Sequence, residues 1–175
     1  MCSALFYQEE SVVGRLVKPF KYSHQADLFR IFVPWMREAL RLLSTSEKVV
    51  FVPVPLHKSR ELERGYNQSE LLAKWIAKSM GRPMARMVKR VKDTGSQARI
   101  ADRKGREENM VGAFEVLTDR EARLRRVECP IVLVDDIVTT GSTLLACAEA
   151  LRAAGAENIL ALTLADREKK TDHRH

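Results

Sequence analysis

The sequence predicts an α/β fold, a central and mainly parallel sheet flanked by helices. Three observations lead there. Residues 131–134 read Ile-Val-Leu-Val, a continuous apolar run of the kind buried on both faces of a sheet. Short apolar segments at 48–55 and 158–165 have the same character. Segments with helical spacing, at 67–80 and 143–154, alternate with them, and that alternation is the pattern of a parallel sheet covered by helices.

The 175 residues are the length of one domain. Residues 1–10 are too polar, and their apolar run too short, for a signal peptide. No run approaches the roughly 18 apolar residues of a membrane span, so a cytoplasmic protein with no membrane span is expected. Residues 25–43 place Leu28, Phe29, Phe32, Trp35, Met36, Leu40 and Leu43 at helical spacing. Pro34 interrupts them, and a kink or a break into two helices is expected there. The run Lys-Val-Val-Phe-Val-Pro-Val-Pro at 48–55 is a buried strand ended by its prolines. Residues 56–66 read as a charged loop. Asn67 with Glu70 three positions on resembles a capping box. The helix it opens carries Leu71, Leu72, Trp75, Ile76 and Met80, and Gly81 and Pro83 close it.

Residues 87–91 read as a short strand, and 113–117 alternate like another. Between them, 92–111 is long, polar and basic, and a loop of that length inside a domain is usually functional or mobile. Residues 143–154 form a helix ended by Gly155, and 158–165 a final strand. The stretch 166–175 is a charged tail expected to fray. Cys2, Cys129 and Cys147 match no zinc or redox spacing, and Cys129 and Cys147 read as small buried hydrophobes.

The net charge is +7. Residues 86–126 hold 12 Lys or Arg against 7 Asp or Glu, a local excess of +5. That suits a phosphate-bearing partner, small or polymeric. A solvated basic face with no partner would look the same, because acids are interleaved throughout.

The chemistry concentrates after the strand at 131–134. Asp135 and Asp136 follow, then Ile137 and Val138, then Thr139, Thr140, Gly141, Ser142 and Thr143 at the start of a helix. A turn of Thr, Ser and Gly at a helix N-terminus supplies amides, hydroxyls and a favourable dipole for a phosphate. Gly141 lets the backbone come close. Two carboxylates beside it can accept from adjacent hydroxyls, and can favour a nearby Mg²⁺ through water. A diol next to a phosphate describes a ribose 5-phosphate. An ordinary connection with a Thr N-cap would need the turn alone, without the two acids in that order. No Walker lysine is present at the required spacing.

This segment resembles the signature of the type I phosphoribosyltransferases. The resemblance implies that Asp135 and Asp136 hold the ribose hydroxyls and that Thr139, Thr140, Gly141, Ser142 and Thr143 cradle the 5-phosphate of phosphoribosyl pyrophosphate. It also implies Mg as cofactor at Asp135 and Asp136, a pyrophosphate loop after an earlier strand, and a mobile hood.

Further segments are similar to the ComF family of competence-associated proteins. They are Val-Pro-Val-Pro-Leu-His at 52–57, then Arg60, then Arg-Gly-Tyr-Asn-Gln at 64–68 with Leu71, Leu72 and Ala73 behind it. Phe-Lys-Tyr at 20–22 belongs with them, as do Arg90, Thr94, Gln97, Arg103 and Asn109 ahead of Gly-Ala-Phe at 112–114. The likeness runs over residues 5–165, which is taken as the domain. Many family members begin with a four-cysteine zinc ribbon; Cys2 alone cannot form one, so no Zn is expected in this chain.

The resemblance assigns residues 53–60 to the pyrophosphate loop, with Val54, Pro55, Leu56, Lys58 and Arg60. Independently, an amide-rich turn with Lys58 and Arg60 suits a diphosphate, although both also read as surface charge. It assigns 90–109 to the flexible hood, in which Arg90, Gln97, Arg99 and Arg103 lie. Asp135, Asp136 and Arg90 are the candidate catalytic residues. Arg64 and Asn67 can orient the loop or the helix start, and Asn67 reads equally as a plain N-cap. His57, alone beside a proline-rich turn, reads as structural more readily than as a general base.

Three functions stay open. The first is an enzyme transferring phosphoribosyl to an acceptor that the residues do not name. The second is a non-catalytic module handling single-stranded DNA with the competence machinery at the inner membrane. The third, a nucleobase salvage enzyme, fits the 52–57 and 64–68 segments poorly. Direct DNA binding lacks aromatic platforms, since Phe114 is alone in the basic stretch. The oligomeric state is open.

Overall fold

The computed structural model describes residues 2–7, 15–16, 26–41, 48–93, 110–118 and 129–167. Its strands are β1 (Cys2–Tyr7), β2 (Val50–Pro53), β3 (Val88–Arg90), β4 (Phe114–Val116), β5 (Ile131–Val138) and β6 (Ile159–Arg167). Its helices are α1 (Phe29–Arg41), which follows a 3₁₀ turn at Ala26–Leu28, then α2 (Lys58–Arg64), α3 (Gln68–Met80) and α4 (Ser142–Ala153). The main sheet has the order β1-β6-β5-β2, and every neighbouring pair is parallel. β3 and β4 form a separate antiparallel pair. The α/β fold with a central parallel sheet flanked by helices is therefore the one the sequence predicts.

β5 lies inside the sheet, pairing Val132 with Phe51 of β2 and with Leu160 of β6. Its residues alternate between two cores, as side chains on a strand must. Val132 and Val134 join Phe32, Met36 and Leu40 of α1 and Leu72 and Ile76 of α3. Ile131 and Leu133 join Leu144, Cys147 and Leu151 of α4, with Val88 and Phe114 from the β3–β4 pair. Phe32 and Phe51 are fully buried, so each contributes on the order of 2–3 kcal/mol of apolar transfer.

Several expectations need correcting. Pro34 does not divide α1, which runs unbroken through it. Both Pro34 and Arg30, whose carbonyl loses its helical donor, lie on the exposed side, where water can serve that carbonyl. Residues 58–64 are a helix, not a loop. α2 buries none of its residues and leaves Leu62 85% exposed, so it carries no apolar stripe to read. It is held by its ends: His57 caps it, and Gly65, at φ 76°, closes it with a bond to the Glu61 carbonyl. β6 takes in Asp166 and Arg167, which pair with Phe6 and Tyr7 of β1, a strand the sequence reading did not foresee. Among the described residues, no helix is long and apolar enough to cross a membrane.

Candidate functional site

The helices that follow β2 and β5 settle on opposite faces of the sheet. α3 covers the face shared with α1, and α4 covers the other. The chain therefore leaves the carboxyl ends of these two adjacent strands in opposite directions and opens a crevice between them. In parallel α/β sheets this is where ligands bind. The acids after 134 and the loop after 53 meet there: Val54 donates its N–H to the Val134 carbonyl at 2.9 Å.

Asp135 and Asp136 stand within β5, past the point where β2 ends. Asp136 is 7% exposed and Asp135 half-buried. Each carboxylate is fixed by the amide that follows it. Asp136 N–H donates to Asp135 Oδ1 at 2.9 Å, and Ile137 N–H to Asp136 Oδ1 at 2.6 Å. Asp135 Oδ1 also accepts from the Ser69 hydroxyl of α3 at 2.8 Å. Ser69 is a contact that sequence reasoning missed. Its one signal was its place in the first turn of a helix, where a serine attracts no notice.

Thr139 to Thr143 wrap the N-terminus of α4. Gly141 is the N-cap at φ 79°, a conformation that suits glycine. The first helical bond runs from Leu145 N–H to the Gly141 carbonyl at 2.9 Å. The amides of Ser142, Thr143 and Leu144 thus precede the ladder and carry the positive end of the helix dipole. Thr140 Oγ1 and Ser142 Oγ lie 2.7 Å apart and shape the turn. The composition read as a phosphate cradle is therefore placed at a helix start, beside the two acids.

The proposed pyrophosphate loop is shorter than 53–60. Val54, Pro55, Leu56 and His57 lie in no helix or strand, but Lys58 and Arg60 already belong to α2. Arg60 and Glu61 donate their amides to the His57 carbonyl, and Ser59 N–H points to His57 Nδ1 at 3.4 Å. Those amides serve the helix and are not offered to an anion. The amides of Leu56, His57 and Lys58 remain open among the described residues. The positive charge near this loop comes from Lys58, from Arg60 (3.6 Å from Glu63) and from Arg90. His57 Nδ1 also lies 2.9 Å from the Ser59 hydroxyl, which donates to Asp93 at 2.6 Å. This is the structural role expected of His57.

Asn67 performs both tasks considered for it. Its Oδ1 accepts from Ser69 N–H at 3.0 Å, capping α3, and its Nδ2 donates to the Val54 carbonyl at 3.0 Å, holding the loop. Glu70 turns to Arg86 in an ion pair instead of closing a capping box. Arg64 reaches Gln68 Oε1 at 3.3 Å, and so supports the helix start.

Arg90 is the last residue of β3, at the root of the segment assigned to the hood. Burial lowers its pKa; Asp93 and then Asp135 oppose that shift, and the charge of Arg60 adds to it. Arg90, Asp135 and Arg60 thus share one electrostatic neighbourhood. Gln97, Arg99 and Arg103 lie outside the described residues. Tyr66 belongs to the same region: burial raises its pKa, Arg64 lowers it and Asp136 raises it. An open cleft of about 490 Å³ lies on the loop side, lined by Pro55, Leu56, Lys58, Arg86, Arg90 and Leu117 among others. Asp135 and Asp136 are not among its lining residues, so the cleft adjoins the acids without containing them.

Among the described residues, no three His, Cys, Asp or Glu side chains group as metal ligands. Asp135 and Asp136 supply hard oxygen donors, but too few for an octahedral ion on their own. Such a pair fits Mg²⁺ that takes its other ligands from water and from a phosphorylated substrate.

Comparison with known proteins agrees with this fold. The family described as phosphoribosyl transferase domain matches residues 68–175. Competence protein F of Haemophilus influenzae is 35% identical over 176 residues, covering 90% of this chain and 75% of that protein. Competence protein ComFC of Bacillus subtilis is 26% identical over 161 residues, with 90% of this chain and 61% of that protein covered. DNA utilization protein YhgH of Salmonella typhi is 35% identical over 114 residues, covering 62% of this chain and 45% of that protein. The chain thus spans three quarters of the first of these relatives, about three fifths of the second and under half of the third.

Proposed function

The chain belongs to the phosphoribosyl transferase domain family and, within it, to the ComF family, and from that premise we propose that it binds phosphoribosyl pyrophosphate with Mg²⁺ in the crevice between β2 and β5. One observation carries the reading. Two fixed carboxylates, a helix N-terminus whose Thr143 and Leu144 amides precede the helical ladder, and the cations Lys58, Arg60 and Arg90 converge at adjoining strand ends. A ribose diol, a 5-phosphate and a diphosphate are the three parts of one ligand that these would hold.

In this reading Asp135 and Asp136 accept from the 2- and 3-hydroxyls. Thr139, Thr140, Gly141, Ser142 and Thr143 take the 5-phosphate, and Lys58, Arg60 and Arg90 face the pyrophosphate. Transfer to an acceptor would break the bond between C1 and the pyrophosphate oxygen through an oxocarbenium-like state. The Asp135 and Asp136 carboxylates then lie beside the developing positive charge, and Arg90 beside the departing negative one. Mg²⁺, when bound, would draw charge from the leaving group.

The relatives named for competence and DNA utilization support a place in DNA uptake. For direct handling of single-stranded DNA the support is thinner. Arg86, Lys89 and Arg60 are each paired with a carboxylate, and Lys92 donates to the Val111 carbonyl at 2.7 Å.

Isothermal titration with phosphoribosyl pyrophosphate and Mg²⁺ tests the main reading. Saturable binding that disappears in Asp135→Asn/Asp136→Asn is expected. Absence of binding, or binding untouched by those changes, would overturn it. Release of pyrophosphate across a panel of nucleophilic acceptors then separates an enzyme from a binding module.

A further inference from the structure

The crevice contains a closed ring of hydrogen bonds that joins the loop after β2 to the first carboxylate of β5. Val54 N–H donates to the Val134 carbonyl at 2.9 Å. The Val54 carbonyl accepts from Asn67 Nδ2 at 3.0 Å. Asn67 Oδ1 accepts from Ser69 N–H at 3.0 Å. The Ser69 hydroxyl donates to Asp135 Oδ1 at 2.8 Å, and Asp135 follows Val134 directly, which closes the ring. Asn67 is 8% exposed and Ser69 3% exposed, so water competes little for these bonds.

A carboxylate that must accept from two adjacent hydroxyls has to present its oxygens at a fixed angle. Asp135 Oδ1 already accepts two donors, the Ser69 hydroxyl and Asp136 N–H, from two different elements. Two donors on one oxygen stop rotation about the carboxylate bond. The Asp136 amide comes with the strand, whereas the Ser69 hydroxyl is a choice of side chain. At this position alanine would serve the helix about as well.

Building on the reading of the crevice as a ribose-phosphate site, we propose that Ser69 is a positioning residue for the diol. It aims the Asp135 carboxylate, while Asn67 holds Ser69 and the pyrophosphate loop in one register. Ser69 touches no ligand itself and acts through Asp135.

The test separates the diol from the phosphate. Ribose 5-phosphate, 2-deoxyribose 5-phosphate and inorganic phosphate are titrated, each with Mg²⁺, into the wild-type chain, Ser69→Ala, Ser69→Thr, Asp135→Asn and the double variant Ser69→Ala/Asp135→Asn. Loss of a hydrogen bond to a charged group should weaken ribose 5-phosphate about tenfold in Ser69→Ala. Inorganic phosphate, held by the α4 cradle, should change less than about twofold, since among the described residues the hydrogen bonds of Ser69 run to Asn67 and Asp135 and not to that cradle. The preference for ribose 5-phosphate over its 2-deoxy analogue should shrink in Ser69→Ala and persist in Ser69→Thr, which keeps the hydroxyl. The double variant should bind no more weakly than Asp135→Asn alone, because the serine has no other route to the ligand.

A Ser69→Ala chain with undiminished preference for the diol overturns the proposal. So does an equal loss for all three ligands, a lost preference in Ser69→Thr, or additive losses in the double variant. If the wild-type chain binds none of the three ligands, the ribose-phosphate reading itself falls and takes this inference with it. If the wild type binds and Ser69→Ala matches it, only the role of Ser69 falls.

Discussion

The guanidinium carbon of Arg90 stands 5.5 Å from the centre of the Phe114 ring, on the facing strand of the β3–β4 pair. The ring supports one face of the cation, and Arg90 Nε donates to the Lys92 carbonyl at 3.3 Å. Stacking of this kind depends on a planar cation, which lysine lacks. Arg90→Lys is therefore expected to weaken Mg²⁺-pyrophosphate binding by about tenfold, and Arg90→Ala by more. Calorimetric titration measures both, and equal affinity for lysine and arginine would show that charge alone matters at this position.

Gly141→Ala should destabilise the chain by about 1–2 kcal/mol, the cost of a left-handed backbone for a residue with a Cβ. The added Cβ would meet only Val138 Cγ2, at 3.9 Å, so the cost is conformational and not a clash. Thermal unfolding should show a lower midpoint, together with weaker binding of inorganic phosphate. An unchanged midpoint would mean that the turn rearranges at no cost.

Asn67→Ala removes a helix cap worth about 1 kcal/mol. It also leaves the buried Val54 carbonyl without its donor, which costs roughly a further 1–3 kcal/mol. A fall in the urea midpoint equivalent to about 2–4 kcal/mol is expected, well beyond a plain cap. Asn67→Asp keeps the cap but not the donor, so its loss should be intermediate at neutral pH. A loss of only about 1 kcal/mol in Asn67→Ala would reduce Asn67 to a cap.

The Cys147 thiol is fully buried, and burial first, then the charge of Asp135, pushes its pKa from 9.0 up to about 12. The unfolded chain therefore releases this proton at lower pH than the folded one. The contribution to stability is whole below pH 9 and is lost progressively as pH rises towards 12. Unfolding measured between pH 8 and 11 should show an alkaline loss that is smaller in Cys147→Ala; an identical slope in that variant would falsify the assignment. At pH 8 a thiol reagent should modify Cys147 only after denaturant is added.

The parts of this molecule that were legible in the sequence are those whose side chains announce their surroundings. The strand at 131–134 could be read because both of its faces are buried, and the acids after it because two carboxylates so placed need a ligand or a partner. α2 was illegible because it buries nothing and is set by His57 and Gly65 at its ends. β1 was illegible because its pairing partner, β6, lies some 160 residues away. Composition also does not reveal that Arg60 and Glu61 give their amides to the His57 carbonyl. Ser69 escaped because its meaning lies wholly in Asp135, 66 positions onward.

That separation has a kinetic meaning. β2 meets β5 through pairs such as Val50 with Ile131, and the Ser69–Asp135 bond can form only once that distant strand has docked. Closing so long a loop before any contact rewards it makes this pairing slow by nature. No N-terminal fragment ending before β5 can form the crevice between β2 and β5, however well α1, β2 and α3 are formed. During synthesis the crevice comes into being only when β5 and the start of α4 have emerged. A ligand that selects it would then act as a clamp on the finished sheet, drawing late intermediates towards the native state by mass action.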